Sequence, residues 1–416
     1  MSTHPDAGEV QLRLRQLDPA DAAYASQFVD RLLTAACQVH ASDIHLQPTR
    51  SAVDIRWRLD GVLQPLGTFA RGETADIVSR LKVLAELLTY RSDIPQEGRI
   101  RERHGEVEIR VSTFPTLYGE RAVVRLFAAR ASLLYLEDLG LPEEILESLR
   151  RLLAETSGAI LISGPAGSGK TTTAYACLRE LVRASGGSKA LVSLEDPIEV
   201  AVEGVSQSQV HPAAGFDLAA GLRSVMRQDP EAILVGEIRD RATAEAVFQA
   251  ALTGHLVITT FHAGSAAGAI SRLSDMGIEP YLLRSGILGI LSQRLVRGLC
   301  GCAEQAPDEA SWLGLPVRQA WRAAGCASCL QTGYHGRRVL AELLLAEPTE
   351  LGRAILSRND APRLEELAVQ CGMVTLGQRA AAAVEAGWTS PAEVRRVLGF
   401  LDVRSPPHAS GSGHVH

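Results

Sequence analysis

Gly164-Pro165-Ala166-Gly167-Ser168-Gly169-Lys170-Thr171 fits the spacing G-x-x-x-x-G-K-[ST]. Residues of these types in this order can hold a phosphate chain. The glycines let the backbone curl so that successive N–H groups converge on phosphate oxygens, Lys170 carries a mobile full charge to the outer phosphates, and Thr171, with Thr172 behind it, offers a hydroxyl to a magnesium ion. Farther along, Gly236-Glu237-Ile238-Arg239-Asp240 puts the Glu237 carboxylate where it could reach a water in line with a γ-phosphate, with Arg239 beside it to neutralise charge. Many phosphate-loop proteins carry a magnesium-holding aspartate just before this point. Gly236 stands there instead, so the metal must lean on Thr171, the phosphates and water.

Other clusters suit the same chemistry. Glu195-Asp196-Pro197-Ile198-Glu199 sets three carboxylates in five residues, stiffened by proline, which suits the surroundings of a hydrated magnesium ion and the orienting of a water. Either His255 or His262 could sense the γ-phosphate or relay to a neighbouring subunit. Arg223 and Arg227 are four apart, share a predicted helix face and could clamp phosphate in cis or across a subunit boundary. Cys300-Gly301-Cys302 and Cys326-Ala327-Ser328-Cys329 are two close pairs on separate turns, suited to a tetrahedral thiolate zinc site, although the first pair is one residue tighter than a usual zinc knuckle. His335 is a substitute ligand. Plainer readings stand beside these: an acidic turn, an exposed basic face, structural histidines, free thiols.

The elements that position these residues follow from apolar patterning. Ala159–Ser163 reads as a buried strand before the phosphate loop, and Thr172–Ala184 as the helix after it, the context that the motif requires. Ala190–Leu194, Ala232–Val235 and Leu256–Thr260 are further strands with helical segments between. This alternation predicts an α/β, mostly parallel, doubly wound sheet with ligands gathered at the carboxyl ends of its strands. Before it we expect a loose leader over 1–20 and a smaller α+β domain over 21–135. That domain has helices over Asp21–Val39 and Thr74–Leu88, and strands over Val53–Arg58, Val107–Ser112 and Ala122–Phe127. Its strands carry Arg56, Arg58, Arg110, Arg121 and Arg125, a pattern that by itself fits a solvated sheet face. The phosphate-loop domain is expected over 136–298, with a helix over Leu283–Leu299. A cysteine segment follows over 299–345, then a helical region over 346–402 and a disordered tail over 403–416.

The chain has 416 residues, a formal net charge of −6 and seven cysteines. An acidic balance argues against a protein built chiefly to hold a nucleic-acid backbone. Met1–Val10 has no signal-peptide pattern and no apolar run is long enough to span a bilayer, so we expect a cytosolic protein that meets membranes through partners. Cys37, Cys177 and Cys371 are isolated and read as ordinary core residues.

From about residue 35 to 400 the chain resembles the secretion ATPases that drive type II secretion and type IV pilus assembly. Ser42-Asp43-Ile44-His45, Asp60-Gly61-Val62-Leu63 and Gly119-Glu120-Arg121 carry the resemblance in the first domain. The phosphate loop, the acidic, Glu237 and histidine boxes, and Gly333-Tyr334-His335-Gly336-Arg337 with Glu342-Leu343-Leu344 carry it in the second. The resemblance implies a RecA-like ATPase domain in a homohexameric ring, with ATP and Mg2+ as cofactors and Glu237 as the catalytic carboxylate. It implies that His262 is the histidine-box residue and that Arg110, Arg121 and Arg125 reach the triphosphate. It also implies coupling to an inner-membrane platform protein, so that the ring drives assembly of a pseudopilus at the cytoplasmic face. Many members carry a further amino-terminal docking domain where a short leader is expected here, and Ala263-Gly264 follow His262 where Thr and Asn are usual. Alternatives are a motor for type IV pilus assembly, DNA uptake or pilus retraction (retraction motors usually lack the paired cysteines), a nucleotide-dependent regulator without useful turnover, and a DNA translocator.

Overall fold

The computed structural model describes residues 7–72, 76–104, 107–128, 133–346 and 350–399. The chain divides into two compact units, one of residues 1–130 with the short stretch 325–335, the other of 131–324 with 336–416.

The first unit runs α1 (Ala7–Arg15), α2 (Tyr24–Gln38), β1 (Asp43–Pro48), β2 (Ala52–Leu59), β3 (Val62–Ala70), α3 (Ile77–Leu84), β4 (Gln96–His104), β5 (Val107–Thr116) and β6 (Gly119–Ala128). Its strands form one sheet in the order β3-β2-β1-β6-β5-β4. Alternation decides the two faces. Ile44, Ile55, Trp57, Val111 and Val124 point into a core shared with Phe28 and Leu32 of α2 and Ile77 of α3. The other face takes the arginines. Asp43 lies opposite Arg58 on β2 and Arg125 on β6, and Arg125 lies opposite Arg110 on β5. The Arg125 Nε donates to Asp43 at 3.0 Å, and Arg58 is 3.3 Å from the same carboxylate.

Several expectations shift here. The segment expected to be a loose leader contains α1, because Val10 and Leu14, one helical turn apart, bury against α2. The second predicted helix is the shorter α3, and Thr74 lies outside the described residues. Glu120 has an internal role: the fully buried Lys82 ammonium donates to both its oxygens, at 2.8 and 2.7 Å, and to the Arg91 carbonyl at 2.7 Å. Removing either partner of such a pair strands a buried charge, a loss of about 3–5 kcal/mol.

The second unit runs α4 (Glu143–Leu153), β7 (Gly158–Ser163), α5 (Lys170–Ser185), β8 (Leu191–Glu195), β9 (Ser206–Gln209), α6 (Leu218–Val225), β10 (Ala232–Glu237), α7 (Arg241–Leu252), β11 (Leu256–Phe261), α8 (Ala266–Asp275) and α9 (Pro280–Gly286). Then come β12 (Ile287–Leu299), β13 (Glu304–Gln305), β14 (Trp321–Arg322), β15 (Tyr334–Leu345), α10 (Glu350–Leu356), α11 (Ala361–Gln370), α12 (Leu376–Glu385) and α13 (Pro391–Leu398). Seven strands form a sheet in the order β15-β12-β7-β11-β10-β8-β9, and β12, β7, β11, β10, β8 and β9 pair in parallel. This is the expected α/β, doubly wound sheet. Ile160, Ile162, Leu234 and Ile258 face α4 and α5. Their strand neighbours Ala159, Leu161, Ile233, Val235 and Val257 face α7, α8 and α9 on the other side.

One segment contradicts its prediction. Leu283–Leu299 is not a helix: α9 ends at Gly286 and β12 takes over beside β7. Its burial is nearly continuous, as expected of a strand covered on both faces. Beyond the cysteines the chain is also a strand, β15, before it becomes helical. The tail expected to be disordered lies outside the described residues.

Candidate active site

The phosphate loop leaves β7 at Ser163 and enters α5 at Lys170. Gly164, Gly167 and Gly169 take φ of +151°, +74° and +91°, values that L side chains avoid. A Cβ on Gly164 would lie 2.4 Å from the Ser168 Oγ and 2.6 Å from the Gln293 carbonyl. Pro165, Ala166 and Gly167 are exposed at the lip, and Ser168 is buried with no hydrogen-bond partner for its Oγ among the described residues. The Lys170 Nζ donates to the carbonyls of Gly164 and Pro165 at 2.9 and 3.0 Å. Burial lowers its pKa, against the attraction of Glu237. Thr171 and Thr172 are half-buried in the first turn of α5. A helix N-terminus, a lysine without a carboxylate salt bridge among the described residues, and an unsatisfied buried hydroxyl fit a bound phosphate chain.

Glu237 arrives from β10, two strands away from β7 in the sheet. The pairing of β10 with β11 slips between Val235 and Glu237, a bulge at Gly236 that re-aims the next side chain. The Thr260 hydroxyl holds the bulge, donating to the Gly236 carbonyl at 2.7 Å. The Glu237 carboxylate then meets Arg239, which bonds it, and His262, whose Nε2 is 3.3 Å away. Partial burial pushes its pKa up. The Arg239 hydrogen bond and charge, with His262 and Lys170, outweigh this and hold it below the ordinary value. Arg239 also reaches Asp196 at 3.1 Å. Asp240 closes the motif as the cap of α7, accepting from the Thr243 N–H at 2.7 Å.

Glu195 ends β8 and is buried. Its carboxylate accepts from the Tyr175 hydroxyl, from Ser193 at 2.5 Å and from the Gln207 amide at 3.0 Å. The same Tyr175 oxygen accepts from the Glu199 N–H at 3.1 Å. Burial, helped by the Glu195 bond, pushes the Tyr175 pKa well above its usual value. The peptide Asp196-Pro197 is cis.

The two histidines separate. His262 follows β11 at its carboxyl end, and His255 precedes it, where its Nδ1 lies 3.2 Å from the Ala250 carbonyl. Six residues of strand, about 3.3 Å each, keep His255 away from the phosphate loop, so it is not placed to sense a γ-phosphate. Arg223 and Arg227 do not share a helix face: α6 ends at Val225, and Asp229-Pro230 turns the chain, the residue before proline avoiding helical geometry. Both are exposed, and among the described residues neither forms an ion pair with Glu237, Asp196 or Glu195. In the first unit, Arg121 contacts the His45 Nδ1 at 3.0 Å, and Arg110 bonds Glu108 at 2.9 Å and stacks 4.6 Å over the Phe127 ring. Burial, with Arg58 and Arg121, lowers the His45 pKa.

The ligand atoms of Cys300, Cys302, Cys326 and Cys329 lie within 4.8 Å of one another. The Sγ atoms of Cys326 and Cys329 are 3.7 Å apart, close to the edge of a tetrahedron with metal–sulfur bonds of about 2.3 Å. The backbone N–H groups of Cys326 and Gly333 donate to the Cys329 sulfur at 3.2 and 3.1 Å, which favours its thiolate. The four thiols fit a metal ion, and the tight Cys300–Cys302 spacing does not prevent their convergence. Gln293, whose amide bonds both the phosphate loop and α5, was missed from sequence. It carries no local signal, because its partners lie more than 100 residues away.

A parallel sheet with a phosphate loop after the interior strand β7, and a carboxylate from the strand two places over, defines a phosphate-loop nucleoside triphosphatase. The chain matches the family model described as type II/IV secretion system protein over residues 18–396, and it belongs to that family. It is 42% identical over 388 residues to type II secretion system protein E of Klebsiella pneumoniae, covering 92% of this chain and 77% of that protein. It is 39% identical over 367 residues to the type IV pilus assembly ATPase PilB of Thermus thermophilus, covering 86% of this chain and 41% of that protein. Among solved structures, the Yersinia pseudotuberculosis ATPase DotB matches with a TM-score of 0.67 over 92% of this chain and 95% of that one, a likeness of fold at 21% identity. The chain is an ATPase of this family. No helix among the described residues is long and apolar enough to cross a membrane.

Proposed function

We propose that the chain is the ATP-driven motor of a type II secretion system, working as a homohexameric ring at the cytoplasmic face of the inner membrane. It would engage a platform protein there and drive assembly of a pseudopilus. The observation that carries this reading is the convergence of Lys170, Glu237 and His262 at the carboxyl ends of neighbouring strands, joined to the 42% identity with a type II secretion protein E. The phosphate loop binds the triphosphate through its N–H groups and Lys170. Thr171 would offer its hydroxyl to Mg2+, which when bound neutralises phosphate charge. Glu237, held ionised by Arg239, orients a water and accepts its proton, and His262 fixes the free oxygen of that carboxylate. Glu195 secures the neighbouring turn through Tyr175, Ser193 and Gln207. Cys300, Cys302, Cys326 and Cys329 would hold a zinc ion, which when bound would tie down a loop poor in apolar residues.

The test is the purified chain with magnesium-ATP, scored for ring assembly by sedimentation and for phosphate release, together with complementation of a host lacking its secretion ATPase. Assembly, turnover and restored export support the motor. A monomer with no turnover under every condition, or turnover that appears only with DNA, would overturn it. A second reading, assembly of a type IV pilus, is favoured by the 39% identity with PilB, and restored piliation without restored export would select it.

A further inference from the structure

We propose that Gln293 and Arg294, adjacent on the buried strand β12, are positioning residues that set the two sides of the ATP site independently: Gln293 the phosphate loop, Arg294 the segment carrying His262. The inference rests on the ATPase reading of the site.

In register, Ser292 lies opposite Ser163, the last residue of β7, so Gln293 stands level with the start of the phosphate loop. Its side chain is 1% exposed, and both ends of its amide are used. The Nε2 donates to the Ser168 carbonyl at 2.7 Å, and the Oε1 accepts from the Thr173 hydroxyl at 3.0 Å. One amide therefore spans the junction between loop and helix. The consequence follows from peptide geometry. In a planar trans peptide the C=O and the next N–H point in opposite directions. Holding the Ser168 carbonyl toward β12 turns the Gly169 N–H to the opposite side. Gly169 sits at φ +91°, which glycine adopts as readily as other conformations, so the Gln293 bond to the preceding carbonyl helps select this one.

Arg294 acts on the other side. It is 8% exposed, and its Nη2 donates to the Gly264 carbonyl at 2.5 Å, two residues past His262. Its Nη1 donates to the Gln293 carbonyl at 3.0 Å. Two residues farther still, the Ala266 N–H donates at 2.8 Å to Glu342, which is 2% exposed and also accepts from the Leu376 N–H at 2.9 Å. Arg294 and Glu342 thus fix the turn between β11 and α8 from both ends. The bonds of Gln293 and Arg294 go to Ser168, Thr173, Gly264 and the backbone between them, not to the side chains of Lys170, Glu237 or His262, so the effect is transmitted through Ser168 and through the segment carrying His262.

The test uses the full chain and reads nucleotide affinity separately from turnover. Gln293→Met keeps the volume and removes both amide bonds. It should raise the Kd for a fluorescent ADP analogue and the KM for ATP by about tenfold, the scale of one stranded buried hydrogen bond, with kcat at saturation within about twofold of wild type. Arg294→Met should do the reverse, lowering kcat by about tenfold or more with the Kd unchanged. Arg294→Lys, which keeps one donor toward Gly264, should restore part of the kcat. Thr173→Val is the gentler partner variant, and it should raise the Kd severalfold even if Gln293→Met fails to fold. If the variants change Kd and kcat together, in proportion to lost melting temperature, the two residues are structural filler and the proposal is overturned. Unchanged Kd in Thr173→Val and Gln293→Met would also overturn it. A wild-type chain that binds no nucleotide would instead be a failure of the ATPase reading, so the two failures are distinguishable.

Discussion

The His262 Nε2 stands 3.3 Å from the Glu237 Oε2, while Arg239 bonds the Oε1 of the same carboxylate. The two oxygens are therefore held by two different partners. His262→Ala releases one oxygen without removing the carboxylate or Lys170. We expect ATP affinity to stay within a few-fold of wild type and kcat to fall by about tenfold to a hundredfold, the range for a misplaced but present catalytic group. Steady-state kinetics with a direct binding measurement separates the two. A raised KM at unchanged kcat would place His262 in binding instead.

Lys170 and Glu237 titrate in ways that shape the pH profile. Burial lowers the Lys170 pKa, so in the free enzyme its charge is lost at a pH below that of an ordinary lysine. Bound phosphates favour the protonated form and raise it again. The alkaline fall in kcat/KM, which reports the free enzyme, should therefore come at lower pH than the fall in kcat. Glu237 is held below the ordinary carboxylate value, so its ionised form persists through mild acid and its loss contributes no acid limb until below that ordinary range. Coincident alkaline limbs for kcat and kcat/KM would contradict the Lys170 part.

The four converging thiols predict bound metal. Elemental analysis of protein purified without chelator should find about one zinc per chain, and stripping it should free four thiols to a thiol reagent. Cys326→Ser should lower the zinc content, expose the remaining thiols and reduce the melting temperature, while ATP binding by the phosphate loop stays intact. Metal-free protein with the thiols still protected would refute the site.

How far the residues announced this structure depended on how local their partners were. The phosphate loop, Lys170 and the strand before it were readable because glycine spacing, an apolar run and a helix start lie within 20 residues. Glu237 was readable because it follows a buried strand, but the bulge at Gly236 that aims it was not, since the bulge is a relation to β11. Strand β12 was read as helix. Its leucines and isoleucines also suit a helix, and only its place beside β7, with cover on both faces, decides the matter. The same reason hid Gln293. Arg223 and Arg227 differ, because α6 ends at Val225 and the Asp229-Pro230 pair beyond it is a local signal in the sequence against a helix carrying both arginines.

The account stands on Lys170 gripping a triphosphate while Glu237 directs the water that cleaves it. Glu237→Gln keeps the shape and removes the charge. Measured side by side, fluorescent-nucleotide binding should remain within a few-fold of wild type, while phosphate release under saturating magnesium-ATP should drop by at least about a hundredfold. Phosphate release within a few-fold of wild type in that variant would contradict the account, because the carboxylate would then have no part in the chemistry.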